Sequence, residues 1–251
     1  MTDNKAIIEV RNLTVQYGEL EVLKNVSFNI EKGEIFVIVG GSGCGKSTLL
    51  RQMIGLETPT DGEIFIDGKN FIESTKNERK EILKKFGVMF QSSGLFASMT
   101  LAENIKLVLD EYTELNDDEM DDVVDIKLSS VGLSGFRDYY PAEISGGMKK
   151  RAALARAMAL DPYILFFDEP SSGLDPLTSA SLDKLIIEIN RIFKTTMIIV
   201  THDLASVLSI SQRIIMLDKS VKGILAEGTL EQLVSMNDNE MVYNFFNRLS
   251  K

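Results

Sequence analysis

Apolar and polar positions alternate early in the chain. Ile8 and Val10, then Leu13, Val15 and Tyr17, fall at period two, the spacing of a strand with one buried face. Gly18 breaks the run, and a second strand is predicted over residues 22–30. Residues 35–39 are continuously apolar, as expected of a strand covered on both faces. A glycine-rich loop follows, then a helical stretch ending near Ile54. Residues 63–66 read as a short strand closed by the turn Asp67-Gly68. Thr100-Leu-Ala-Glu103 is a capping box that starts a helix. A second helix is predicted over 118–131, a punctuated loop over 141–147, and a third helix over 148–160, stopped by Asp161-Pro162. Alternation then returns, with strands at 163–167, 197–200 and 214–217 and a helix at 179–193. Strands alternating with helices predict an α/β fold with a largely parallel sheet. The helical middle reads as an insertion between two halves of that core.

The C-terminal stretch has its own pattern. Thr229-Leu-Glu-Gln232 is another capping box, and Val242, Phe245, Phe246 and Leu249 fall at i, i+3, i+4 and i+7. A short helix with such a stripe needs a surface to pack on, either its own domain or a neighbouring subunit.

Length and composition narrow the class. The chain has 251 residues, 44% of them hydrophobic and 25% charged, which allows one large domain with a substantial core. No apolar run approaches the roughly 18 residues needed to cross a bilayer, and Met1 to Lys5 is polar and charged, unlike a signal peptide. A single cysteine, Cys44, excludes an intrachain disulfide, and a single histidine, His202, excludes a histidine-cluster metal site. Net charge is −10, but residues 110–125 hold nine acids and no base, so the rest is nearly neutral. A nucleic-acid partner is not expected, because no basic stripe is present.

The densest chemistry lies in Gly40-Gly41-Ser42-Gly43-Cys44-Gly45-Lys46-Ser47-Thr48, which fits G-x-x-x-x-G-K-[ST] between an apolar strand and a helix. Glycines let backbone amides approach phosphate oxygens, and a helix N-terminus adds partial positive charge. Lys46 would neutralise the β- and γ-phosphates of ATP, and Ser47 could ligate Mg2+. Cys44 lies in this loop but has no base to make it a nucleophile, so it is expected to be dispensable. A second signal is the apolar run 164–167 ending in Asp168-Glu169. Acids at the C-terminal edge of a parallel sheet sit where ligands bind. Asp168 would hold Mg2+ and Glu169 would act as general base toward water. A third is Ser145-Gly146-Gly147-Met148 before Lys149, Lys150 and Arg151. Ser145 is a natural N-cap, and the glycines leave free amides at a helix start.

With these motifs in this order, the chain resembles the ATP-binding cassette (ABC) transporter ATPases over essentially its whole length. The resemblance implies a P-loop NTPase fold with an N-terminal antiparallel β region and an inserted helical subdomain. Residues 1–91 and 161–235 would form the core with its β region, 92–160 the helical subdomain and 236–251 a C-terminal helix, all in one ABC ATPase domain. It also implies residue roles. Tyr17 stacks on adenine, Gln91 contacts Mg2+ and the attacking water, 172–175 joins two subunits, and His202 contacts the γ-phosphate. Ser145, Gly146 and Gly147 form the signature that completes the nucleotide site of a second copy, so the chain is expected to act as a dimer with two shared sites.

Met148 stands where most of the family has Gln. Ile-Ser-Gly-Gly-Met followed by basic residues and Arg151-Ala-Ala-Leu-Ala-Arg156-Ala is similar to the Mla/Mce-type subgroup. That likeness implies ATP-driven phospholipid transport between inner and outer membranes. The expected partners are an integral-membrane permease, a small accessory subunit and a membrane-anchored Mce-type lipid-binding protein. The chain would sit peripherally on the cytoplasmic face of the inner membrane. The permease would enter a groove near Gly94, Leu95, Phe96 and Met99. An importer ATPase for a polar solute such as an amino acid remains the alternative reading.

Overall fold

The computed structural model describes residues 6–247. Two sheets organise it. The first is antiparallel, with strands β1 (Ala6–Tyr17), β2 (Leu20–Glu31), β4 (Asp61–Ile66) and β5 (Lys69–Asn70) in the order β2-β1-β4-β5. The second contains β3 (Ile35–Gly40), β6 (Phe86–Met89), β7 (Ile164–Asp168), β8 (Thr196–Val200), β9 (Arg213–Asp218) and β10 (Gly223–Gly228) in the order β10-β9-β3-β8-β7-β6. All of its neighbours pair in parallel except β10 with β9. The first strand shows how sequence phase becomes shape. Val10 and Leu13 are three apart, which breaks strict alternation. A register shift at that point and a left-handed Asn12 (φ 50°) absorb the extra residue, and both flanking side chains stay buried.

The strand order puts β3 at the centre, and its six residues are all buried. Its side chains alternate between two cores. Ile35, Val37 and Val39 join Leu165, Phe167, Met197 and Ile199 on the face covered by helices. Phe36 and Ile38 join Ile164, Phe166, Ile198 and Val200 on the face covered by the antiparallel sheet and by α1 (Lys46–Met53). A strand buried on both faces must be apolar at every position, which is why 35–39 carries no alternation. Each side chain of this kind contributes roughly 1.5–3 kcal/mol of burial free energy.

The remaining helices follow their caps. Between β5 and β6 lies α2 (Lys76–Leu83). Between β6 and β7 run α3 (Leu101–Tyr112), α4 (Asp117–Ser130) and α5 (Gly146–Ala157). Thr100 caps α3 in the expected box with Glu103, and Asn116 caps α4 with Glu119. The acidic stretch is partly tied down, because Arg137 pairs with Asp121 and Asp125, and Lys106 with Asp121. Helix α5 crosses β6 closely. A Cβ on Gly87 would lie 1.9 Å from the carbonyl oxygen of Ala157, so only glycine fits there. After β7 come α6 (Pro176–Phe193), α7 (Leu204–Ile210) and α8 (Leu230–Val234), with one more helix at the end of the described residues. Among the described residues no helix is long and apolar enough to cross a membrane.

The last helix, α9 (Glu240–Phe246), packs on its own domain. Val242 and Phe246 are buried in the helix-covered core, and Phe245 packs against it. Leu249 lies outside the described residues. Phe246→Ser should therefore destabilise the isolated subunit by up to about 3–5 kcal/mol, the range for emptying a buried Phe site. Denaturant unfolding measures this, and an unchanged midpoint would mean that the stripe is not packed.

Candidate functional site

The C-terminal ends of β3, β7 and β8 lie side by side because those strands are parallel neighbours. Each end delivers one part of a site, at the edge where α/β sheets bind ligands. Strand β3 ends at Gly40, and the loop to Gly45 leads straight into α1. Gly45 has φ 99° and a cap position with no side-chain bond, so the first α1 amides are left to a ligand. Gly40 has φ 147°, and a Cβ there would meet Leu217 O at 2.3 Å and Cys44 Sγ at 2.6 Å. The Lys46 ammonium donates to Gly40 O at 2.8 Å and Gly41 O at 3.1 Å. It thereby folds back across the loop, with a third N–H to spare.

Cys44 is 2% exposed, and burial pushes its thiol pKa up against the opposing pull of Lys46. It behaves as a small core group in the loop. Cys44→Ala should leave ATP hydrolysis within about threefold of wild type, since a buried free Cys acts as a small hydrophobe. Abolished hydrolysis in a folded variant would show that the thiol does chemistry.

Strand β7 delivers the two acids. Asp168 is half-buried, and its Oδ1 is buried with no hydrogen-bond partner. Burial first, and then the neighbouring Glu169 charge, raise its pKa. Arg51, a hydrogen bond from Ser47, and Lys46 hold it back. Ser47 and Asp168, read separately in the sequence, thus meet. A small hard cation suits this pair of oxygens, one of them an orphaned carboxylate oxygen. Among the described residues no cluster of three His, Cys, Asp or Glu could hold a metal alone, so phosphate and water oxygens would complete the shell.

Glu169 has φ 49°, a left-handed conformation unusual for a residue with a Cβ. It turns the side chain back over the strand ends, where its own amide donates to Val200 O at 2.8 Å. The residue is only 9% exposed. From the end of β8, the His202 Nδ1–H donates to Glu169 Oε1 at 2.8 Å, and the His202 amide donates to Oε2 at 3.4 Å. The imidazole itself is exposed, leaving Nε2 on the open side. A lone histidine after a strand is ordinarily structural; here it orients a carboxylate. The pair borders a cleft of about 490 Å³ lined by Ser171, Ser172, Gly173 and the start of α7.

The other residues singled out in the sequence fall around this centre. Gln91, just beyond β6, donates from Nε2 to Ser172 Oγ at 3.2 Å, which joins it to the loop after β7. Asp175 caps α6, accepting from the amides of Leu177 and Thr178. Ser145 caps α5, accepting from the Met148 amide at 3.3 Å. A Cβ on Gly146 or Gly147 would meet Leu174 or Thr178, and no phosphate-loop atom within 4 Å. Met148 is half-buried and packs against the helix-covered core, which is how a thioether replaces an amide there. Of the apolar cluster near Gln91, Leu95 packs inward and Phe96 is 51% exposed.

Two contributors have no local sequence signal. The Tyr17 hydroxyl hydrogen-bonds Glu57, which raises the phenol pKa and lowers that of the carboxyl. Glu57 also accepts from Arg51 at 3.1 Å and Gln52 at 3.2 Å, so Tyr17 is fixed to α1 and the loop after it. The second is Lys150, buried on α5, whose ammonium donates to Gln91 O at 2.6 Å. Burial lowers its pKa, opposed by the charges of Asp168 and Glu169.

This arrangement of strand ends, loop and acids has known counterparts. A family model described as ABC transporter matches residues 23–172. The chain belongs to the ABC transporter family. The probable ribonucleotide transport ATP-binding protein mkl of Mycobacterium leprae is 42% identical over 96% of this chain and 68% of its own length. The intermembrane phospholipid transport system ATP-binding protein MlaF of Haemophilus influenzae is 40% identical over 95% of this chain and 90% of its own length. Among solved structures, a dimeric post-hydrolysis state of the ATP-binding cassette MJ0796 bound to ADP and Pi superposes with a TM-score of 0.80 at 32% identity, covering 88% of this chain and 98% of that one. The fold is thus that of an ABC ATPase.

Proposed function

We propose that this ABC ATPase is the ATP-hydrolysing subunit of a transporter that moves phospholipid between the inner and outer membranes. The observation that carries hydrolysis is Glu169, held left-handed and bonded to His202 beside an orphaned Asp168 oxygen. Glu169 takes a proton from water as it attacks the γ-phosphate of ATP. Lys46, the α1 amides and His202 offset the charge that develops on the phosphoryl oxygens. Glu169 accepts the Nδ1–H, so His202 contacts that phosphate through Nε2. Ser47, Asp168 and Gln91 would hold Mg2+, which supplies positive charge at the β- and γ-oxygens. Tyr17 stacks on adenine. Two copies assemble so that Ser145, Gly146 and Gly147 of each close the site of the other.

The phospholipid assignment is supported by the MlaF likeness, in which this chain spans 90% of the relative. The mkl relative, named for ribonucleotide transport, is spanned over only 68%, and the polar-solute importer has the weaker support. Permease subunits, an accessory subunit and a membrane-anchored Mce-type protein complete the assembly, with this chain peripheral on the cytoplasmic face of the inner membrane. The test is to purify the native complex through this subunit, identify bound molecules by mass spectrometry, and measure turnover with each. Copurified phospholipid and lipid-dependent turnover are expected. Turnover that responds to ribonucleotide or amino acid, with no lipid bound, overturns the assignment.

A further inference from the structure

We propose, on the role given to Gln91 above, that Lys150 is a positioning residue: it clamps the Gln91 main chain to helix α5, so that the glutamine and the signature move as one body. Lys150 is 5% exposed and follows Ser145–Gly147 within the first turns of α5. A buried ammonium is costly unless paired. Its one short hydrogen bond is to Gln91 O, at 2.6 Å, and Asp168 and Glu169 are the charges that bear on it. Gln91 is therefore gripped twice: its carbonyl by the signature helix, and its side chain by Ser172 of the loop after β7.

The next part of the same loop is anchored separately. Arg156, further along α5, donates to Gly94 O at 2.6 Å and reaches Ser93 O at 3.5 Å. Ser93 (φ 67°) and Gly94 (φ 64°) are both left-handed, so the chain turns sharply there. Beyond the turn, Phe96 is exposed. Displacing that exposed face pulls on residues tied to α5 at two points. Lys150 alone extends the tie to Gln91. Removing Lys150 thus releases the Gln91 main chain from α5 while the side-chain bond to Ser172 and the anchor at 93–94 stay.

The test compares Lys150→Met and Lys150→Arg in the full-length protein. Hydrogen exchange over 90–94, thermal midpoint, and kcat and KM for ATP are measured in each. Lys150→Met should speed exchange at 90–92 and lower kcat by roughly tenfold, as expected for one charge-assisted hydrogen bond. KM should stay within about threefold, because a positioning loss falls on the chemical step. Lys150→Arg should restore both, since a guanidinium can donate to the same carbonyl. If the Met variant does not fold, Lys150→Leu, which likewise lacks a donor, replaces it, with the same readouts. Unchanged exchange at 90–92 overturns the clamp. So does faster exchange spread along all of α5 with a lower thermal midpoint and no loss of kcat, which would make Lys150 a packing group. Failure of Arg to restore what Met removes also overturns it. Faster exchange at 90–92 with unchanged kcat keeps the clamp and overturns instead the role given to Gln91.

Discussion

Glu169→Gln should bind ATP almost as wild type does and turn it over at least about 100-fold more slowly, the scale for losing a general base. That factor corresponds to about 2.7 kcal/mol of activation free energy. The reasoning starts from what the substitution preserves. Gln has the same heavy-atom shape, so the left-handed turn at 169 and the amide bond to Val200 O persist. Its side-chain oxygen still accepts the Nδ1–H of His202. What disappears is basicity, because an amide oxygen does not take a proton from water at neutral pH. Of the phosphate-binding groups only His202 touches residue 169, and it keeps its Nδ1–H bond; Lys46, Ser47 and the α1 amides lie on a different strand end. Equilibrium ATP binding and steady-state phosphate release, measured on the same preparation, check both halves. Wild-type turnover in the Gln variant would remove Glu169 from the chemistry.

The phosphate loop was legible because its parts are consecutive. An apolar strand, a loop that needs glycine at Gly40 and Gly45, and a helix start all lie within 35–53. The same holds for the caps at Thr100, Ser145 and Thr229, where a side chain bonds an amide three residues on. Elements without a periodic stripe were missed. Helix α2 starts with a capping box, Thr75 with Glu78, but buries only Ile82, so no stripe follows its cap. Strand β6 is four residues long and contains Gly87, and β10 carries glycine at both ends. The short helix α7 likewise escaped the reading. The contacts that complete the site are harder still. Ser47 meets Asp168, Tyr17 meets Glu57, and Lys150 meets Gln91 across long stretches of chain. Only the strand order brings them together. His202 shows the same limit from the other side: its role depends on β8 lying next to β7, which no residue near 202 announces.

Lys46→Ala should weaken ATP binding itself, besides removing the charge that Lys46 offers the reacting phosphoryl group. The ammonium is the one cation inside the phosphate loop, and it donates to Gly40 O and Gly41 O while keeping a further N–H available. Its removal takes away a charge-assisted contact with the β- and γ-phosphates and also two ties across the loop. A hydrogen bond to a charged group contributes about 1.5–3 kcal/mol, so ATP affinity should fall by about 10- to 150-fold. The fold should survive, because α1 is anchored by Leu49, Leu50 and Met53, all buried in the core beneath it. Titration calorimetry with ATP, alongside a thermal melt, separates the two effects. An unchanged melting midpoint with weakened binding is the expected result. Unchanged affinity would mean that the loop amides alone hold the nucleotide and that Lys46 serves only to close the loop on itself. Glu169→Gln and Lys46→Ala should therefore fail differently, one binding ATP without turning it over and the other binding it weakly, because β7 and β3 each deliver a different part of one site.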